Sequence, residues 1–100
     1  MGPRLTAPTL KVLAAFLWQS DAELSGADIG RATSLQTGTL YPILFRLETA
    51  GWLKSHWEAG NPKKLGRPRR RLYKITGLGI TSAKTALREI VSPVMELAWS

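Results

Sequence analysis

Residues 37–51 constrain this chain more than any other stretch, because they have the pattern of a helix with two contrasting faces. Gly51 lies at the end, where glycine commonly terminates a helix. Apolar side chains recur at the i, i+3, i+4, i+7 spacing of one helix face, at Leu40, Ile43, Leu44 and Leu47. The opposite face suits a ligand better than solvent and carries Gly38, Tyr41, Pro42, Phe45, Arg46 and Thr49. We predict a helix that packs by one side and presents its N-terminal end to a ligand.

The basic residues of the chain are concentrated in one segment. The 100 residues carry a formal net charge of +7, and the sequence pI is near 10.4. A soluble basic domain could have the same total charge, but an uneven distribution favours a polyanionic partner. The segment contains Lys54, Lys63, Lys64, Arg67, Arg69, Arg70, Arg71 and Lys74, opposed there only by Glu58. We therefore take double-stranded DNA as the ligand.

An apolar segment near the start predicts the first helix, from Leu10 to Gln19. Thr6 or Ala7 caps it, and Pro8 stands in its first turn, where a missing N–H costs little. This helix has almost no polar face, so it must be covered on more than one side. In a domain of this size, that indicates a second subunit.

The next segment predicts a helix-turn-helix. Residues 23–25 form a very short strand, and Ser25 with Asp28 fits a capping box. The box opens a second helix over residues 26–33, and a tight turn at residues 34–36 leads into the ligand-facing helix. Many proteins that do not bind DNA contain such a helix pair. The pair alone is therefore a weak indication of DNA binding, and the hairpin that follows it adds to the evidence.

Two alternating segments, residues 52–58 and 71–75, predict a β-hairpin. Glycine, proline and asparagine mark residues 59–70 as the connecting loop, which is too long and too basic for a simple turn. A hairpin after a helix-turn-helix gives a mainly α, α+β winged-helix fold, with this loop as the wing. The residues predicted to face inward are Leu53 and Trp57 on the first strand and Tyr73 and Ile75 on the second.

The last predicted helix begins at residues 76–79 and runs to about Ala98. Its apolar residues follow the a/d spacing of a coiled coil, at Ile80, Ala83, Leu87, Ile90, Val94 and Leu97. Pro93 should bend or break the helix. We divide the chain into a DNA-binding domain at 1–76 and a dimerisation helix at 77–100. The predicted dimer contacts are Leu13, Phe16 and Leu17 of the first helix and Leu87, Ile90, Val94 and Leu97 of the last.

Several motifs together resemble PadR-type transcriptional regulators over roughly Leu10 to Gly79. They are Gly38-Thr39-Leu40-Tyr41-Pro42-Ile43-Leu44-Phe45-Arg46-Leu47-Glu48, Gly51-Trp52-Leu53, Trp57-Glu58, Gly66-Arg67-Pro68-Arg69-Arg70 and Tyr73-Lys74-Ile75-Thr76 with Gly79. The resemblance implies a homodimeric repressor with its third helix in the major groove and its wing on the flanking backbone. With one C-terminal helix, the chain is similar to the short subfamily. Drug-binding members use a tryptophan on that helix, and Trp99 is the only candidate for a small hydrophobic ligand here.

The predicted DNA contacts begin at the start of the third helix, where unpaired N–H groups favour phosphate. A threonine or Gln36 could instead be a simple N-cap, and Gly38 could relieve strain at Pro42. Tyr41 could pack in the core, and Arg46 could pair with Glu48 or Glu58. The predicted set is Thr37, Gly38, Thr39, Tyr41, Pro42, Arg46, Lys63, Lys64, Arg67, Arg69 and Arg70. Phe45 is expected to pack under the wing, with a thymine methyl as its alternative contact.

Other functions lack a signature in the sequence. His56 is the only histidine, so we expect no metal site, and no Ser-His-Asp, Cys-His or phosphate-cradling motif indicates an enzyme or a cofactor. Trp18, Trp52 and Trp57 are expected in the core or an interface.

We expect neither a signal peptide nor a membrane span, and the absence of cysteine agrees with the cytoplasm. The alternatives are a winged helix that binds protein and a basic protein that binds nucleic acid without specificity.

Overall fold

The computed structural model describes residue 3 and residues 5–99, with side chains described as far as residue 89. The described chain is a mainly helical winged-helix fold with a small antiparallel sheet in the order β1-β3-β2. The elements are α1 (Ala7–Trp18), β1 (Leu24–Ser25), α2 (Gly26–Thr33), α3 (Thr37–Thr49), β2 (Leu53–Trp57), α4 (Pro62–Leu65), β3 (Arg71–Ile75) and α5 (Gly77–Trp99).

The helix ends follow from local hydrogen bonds that the sequence contains. Thr6 caps α1 by accepting the N–H of Thr9 at 3.4 Å, so α1 begins earlier than the predicted Leu10. The capping box is confirmed, because the Asp28 N–H donates to Ser25 Oγ at 3.1 Å and the Ser25 N–H to Asp28 Oδ2 at 3.0 Å. The second bond holds the pKa of Asp28 below its ordinary value. Both predicted ends of α2 are therefore confirmed.

The predicted helix face of α3 is confirmed as part of the core. Leu40, Ile43, Leu44 and Leu47 are each at most 3% exposed. They pack with α1, the strands and the start of α5, where Ala83 has no exposed surface. Because one face of α3 is fixed in this way, the opposite face must point to solvent.

Two residues predicted as dimer contacts belong to the same core. Leu13 and Phe16 are both 0% exposed within the single chain. A side chain with no accessible surface has nothing to bury against a second subunit, so both serve the interior of their own protomer. The exposed side of α1 is elsewhere, at Lys11, Ala14 and Trp18.

The hairpin forms with β3 in the centre of the sheet. Leu53 pairs with Ile75, Ser55 with Tyr73 and Trp57 with Arg71. Leu53, Tyr73 and Ile75 are buried as predicted, whereas Trp57 is 61% exposed because the far end of the hairpin extends past the core. The core alternative for Trp57 is therefore wrong, and its interface alternative stays a prediction. The loop also contains the short helix α4, which the sequence reasoning missed.

The start of α5 is fastened to the turn after α3. The Thr76 hydroxyl donates to the Gly51 carbonyl at 2.6 Å and accepts the Gly79 N–H at 3.0 Å. Gly51 has a φ of +80°, as its predicted role after the helix requires. The helix runs through Pro93 to Trp99, so a break there is excluded, while a bend stays a prediction. The side chains of Ile90, Val94, Leu97 and Trp99 lie outside the described residues.

Candidate nucleic-acid interface

The outer face of α3 is exposed along its whole length. Its exposed residues are Thr37, Gly38, Thr39, Tyr41, Pro42, Phe45, Arg46 and Thr49. The face therefore consists of the residues that the helical pattern assigned to it. Phe45 is 71% exposed, so the prediction that it packs under the wing is wrong.

The N-terminal end of α3 is open to a ligand. Gln36 is the N-cap residue, and its side chain makes no capping hydrogen bond. The first N–H groups of a helix have no intrahelical acceptor, so those of the first α3 turn are free to donate outward. A Cβ built on Gly38 meets no atom of a neighbouring element within 4 Å. Packing against the rest of the protein therefore does not require glycine there.

Tyr41 forms one wall of a groove that joins three parts of the fold. Its ring lies over the start of α2, since a Cβ on Gly26 would stand 2.2 Å from Tyr41 Oη. Tyr41 is 45% exposed, so its side chain is not part of the core but is partly covered by neighbouring residues. The groove has a volume of about 480 Å³, and we call it the Tyr41 groove. It is lined by Ser25, Gly26, Ala27, Tyr41, Trp57, Arg69, Arg70, Arg71 and Tyr73.

The electrostatics of the Tyr41 groove favour an anion. Arginines of the wing and β3 line it together with Tyr41, and none of the described residues that line it is acidic. Arg71 is oriented by two contacts: its Nε donates to Ser55 Oγ at 2.9 Å, and its guanidinium lies 5.2 Å from the Trp57 ring centroid. The direction of Arg71 follows from the strand register, which places it opposite Trp57 and which the alternation of either strand alone does not give.

Within the wing, Arg67 is engaged by an acid. Its two terminal nitrogens donate to the Glu58 carboxylate at 2.6 and 3.0 Å. This pair lowers the pKa of Glu58 below its ordinary value, chiefly through the Arg67 hydrogen bonds. Arg67, predicted to contact DNA, thus braces the base of the wing, and Glu58 also accepts the Arg70 N–H at 3.4 Å.

Helix α4 gives the wing a defined shape. Asn61 Oδ1 accepts the Lys63 N–H at 2.9 Å, and Gly66 ends the helix with a φ of +72°. The Asn61 side chain therefore caps the start of α4, and a glycine in the left-handed conformation ends it. The exposed cations that this wing presents are Lys63, Lys64, Arg69 and Arg70.

Arg46 is exposed on α3 and does not form the ion pairs considered for it. Glu48 accepts the Ser55 hydroxyl, and Glu58 binds Arg67. Within the described part of the chain, no carboxylate lies within 4.0 Å of Arg46. Its guanidinium remains available to an external anion.

His56 contacts a side chain and a backbone carbonyl through its two ring nitrogens. Its Nε2 lies 3.0 Å from Glu23 Oε1, and its Nδ1 lies 3.1 Å from the Trp57 carbonyl oxygen. The Glu23 contact raises the pKa of His56 above its ordinary value. Among the described residues no cluster of acidic or histidine side chains could hold a metal ion. The described helices include none with the length and apolar character to cross a membrane.

The family model of the PadR-like transcriptional regulators matches residues 26–85. The chain belongs to the PadR-like family. The matched residues run from α2 into α5 and so include α3, the Tyr41 groove and the wing. The protein is accordingly a DNA-binding transcriptional regulator of the winged-helix class.

Solved structures share this fold. The protein smu.1704 of Streptococcus mutans UA159 is 28% identical, with a TM-score of 0.71 over 98% of this chain and 91% of its own. A PadR family regulator from Clostridium difficile R20291 is 22% identical, with a TM-score of 0.65 over 91% of this chain and 98% of its own. Reduced AbfR bound to DNA is 24% identical, with a TM-score of 0.70 over 88% of this chain and 58% of its own. No curated protein sequence matches the chain.

Proposed function

We propose that this protein is a homodimeric repressor that binds an inverted-repeat operator through α3 and the wing. The observation that carries the proposal is the continuous exposed surface formed by the outer face of α3, the Tyr41 groove and the wing cations. On this surface α3 enters the major groove, and the wing follows the neighbouring backbone. PadR-like family membership supports the same assignment.

The backbone contacts divide between two sites. Thr37, Gly38 and Thr39 offer N–H groups and hydroxyls to one phosphate at the positive end of α3. The Tyr41 groove receives another phosphate, because Arg69 and Arg70 line it together with the Tyr41 hydroxyl. Lys63 and Lys64 of the wing and Arg46 of α3 add exposed positive charge. Such contacts supply most of the affinity and make it depend on salt.

Dimerisation uses α5 and the exposed side of α1. The chain measures 60 × 24 × 23 Å, and α5 contains 23 residues, so much of this helix extends beyond the core formed around Ala83. Trp18 is 87% exposed beside a groove of about 490 Å³ between α1 and α2. The exposed tryptophan and the small side chains beside it form a surface against which the apolar seam of a second α5 can pack. Leu87, which is half-buried, lies on that seam.

Relief of repression by a small hydrophobic ligand stays a prediction, as does a cytoplasmic location. The ligand hypothesis depends on Trp99, whose side chain lies outside the described residues. Quenching of tryptophan fluorescence by planar hydrophobic cations tests it.

Fluorescence anisotropy and hydroxyl-radical footprinting with the promoter region of the protein's own gene test the proposed function. We expect tight binding to one duplex that contains an inverted repeat, with footprints in successive major grooves on one side of the DNA. Equal affinity for unrelated duplexes or for single strands would instead support a non-specific nucleic-acid-binding protein. Failure to bind any duplex would support the protein-binding alternative.

A further inference from the structure

Phe45 is an apolar side chain in the middle of a surface otherwise suited to DNA. It is 71% exposed. Its neighbours Leu44 and Leu47 are buried on the other side of α3, so Phe45 cannot turn inward without unwinding the helix. Leaving a large aromatic in water forgoes the free energy that its burial would supply. An apolar contact with a partner molecule would recover that free energy.

The position of Phe45 on α3 points toward base edges. Gly38, Pro42 and Phe45 follow one another along the outer face at spacings of four and three residues. At a rise of about 1.5 Å per residue, Phe45 lies roughly 10 Å along the axis from Gly38. That distance corresponds to about three base-pair steps of 3.4 Å. With Gly38 at a phosphate and α3 lying along the groove, Phe45 on the same outer face comes to base pairs further along the site.

We propose that Phe45 recognises thymine in the operator by contact with its C5-methyl group, an inference that rests on the proposed function. The thymine methyl is the apolar group that base pairs present in the major groove. A phenyl ring has no hydrogen-bonding atom, so it gains more from this methyl than from any other base edge. Insertion between stacked bases is the alternative for an apolar wedge, but that mode belongs to minor-groove binders.

The surroundings of Phe45 favour DNA over an apolar protein partner. Arg46 is the next residue and has no acidic partner among the described residues. The Tyr41 groove with its arginines begins one helical turn earlier on the same helix. A protein surface that covered Phe45 would also have to neutralise these cations, whereas DNA supplies both phosphates and a methyl group.

A uracil scan of the operator tests this inference. Each thymine of the selected operator is replaced in turn by uracil, which removes only the methyl group, and affinities are measured by anisotropy. For the wild type, we expect a loss of about fourfold at each contacted thymine, the effect of one methyl-sized group leaving an apolar contact. The Phe45→Ala variant should bind the thymine and uracil duplexes equally.

Two further variants serve as controls. Thr85→Ala changes an exposed residue of α5, outside the α3 face, and should keep the wild-type discrimination. Phe45→Leu retains an apolar side chain and should restore part of the discrimination that Phe45→Ala loses. Because Phe45 is exposed, both of its variants should keep the wild-type circular dichroism spectrum and melting temperature.

Three results would overturn the inference. A flat uracil scan, with the wild type still preferring its operator to unrelated DNA, removes the thymine contact and leaves the proposed function intact. Absence of any preferred duplex removes both. A change in the association state of the free protein in Phe45→Ala would identify Phe45 as a protein contact instead.

Discussion

Gly38 and Gly79 are both glycines near helix starts, but they meet different surroundings. A Cβ on Gly79 would stand 2.1 Å from the Trp52 carbonyl oxygen, whereas one on Gly38 meets no neighbouring element. Gly79 thus allows α5 to approach the turn after α3. Gly38 has no such role within the protein, which makes it available for close approach to a ligand.

The Gly38→Ala variant should therefore separate binding from folding. Alanine is favoured over glycine within a helix by about 1 kcal/mol, so the melting temperature should stay the same or rise. The new methyl group stands where a phosphate would approach, so operator affinity should fall by about tenfold, the cost of a lost hydrogen bond to a charged group. Thermal melting and anisotropy measure the two effects. Unchanged affinity would remove Gly38 from the interface.

Gly79→Ala should give the opposite result. The added carbon meets backbone that cannot rotate away, so we expect a loss of about 1–3 kcal/mol in the free energy of unfolding. Urea denaturation measures this loss, and Gly77→Ala is the matched control because a Cβ there meets no atom within 4 Å. Equal stability of the two variants would contradict the close approach of α5.

At the scale of structural elements, the arginines of the wing have two roles, one in the Tyr41 groove and one in holding the shape of the wing. Arg70 lines the Tyr41 groove, while Arg67 is held by Glu58. Arg70→Ala should weaken operator binding and reduce the slope of log K against log salt by about one. Lys84→Ala removes the same charge from an exposed site on α5 and should leave the slope unchanged.

Arg67→Ala should act through the shape of the wing. Losing Arg67 or replacing Glu58 by glutamine disrupts the same ion pair, so the two changes should be non-additive when combined. Anisotropy on the two single variants and the double variant provides this comparison. Additive losses would instead mean that Arg67 contacts DNA independently of Glu58.

The sheet contains a titratable link between His56 and Glu23. The folded-state pKa of His56 is raised above its ordinary value of 6.5. The contact with Glu23 therefore gives its full stabilisation of the fold at pH values below 6.5. This stabilisation is lost as the pH rises through the raised pKa. His56 is the only histidine, so NMR reports its titration directly. Glu23→Gln should lower the measured pKa of His56. An unchanged value would mean that the contact is absent in solution.

What the sequence predicted among these elements depended on short-range signals. The Ser25–Asp28 box and the apolar stripe of α3 involve residues a few positions apart, so the ends of α2 and the faces of α3 followed from the pattern. The exposure of Trp57 and the direction of Arg71 depend on a strand register set by residues far apart in the chain. The prediction that Phe45 packs under the wing was wrong because the helical pattern of α3 carries no information on the position of the wing.

At the scale of the whole molecule, the proposed binding to an inverted repeat requires a particle that contains two copies of α3. Two half-sites centred about 34 Å apart require a rigid connection between protomers. The core around Ala83 holds the start of α5 to the rest of the chain, and in the proposed dimer the remainder of the helix meets its symmetry mate. A monomer would keep its fold but contact one half-site only.

Leu87→Glu should produce such a monomer. A charge in the apolar seam opposes its mate across the two-fold axis and remains desolvated, so the dimer should dissociate while the circular dichroism spectrum is preserved. Operator affinity should fall by at least about a hundredfold, because the second half-site no longer binds in an effectively intramolecular step. Thr85→Glu adds the same charge at an exposed position outside the seam and should remain dimeric. Sedimentation velocity distinguishes these results, and a persistent Leu87→Glu dimer would mean that the subunits meet through another surface, with the exposed Trp18 side of α1 as the next candidate.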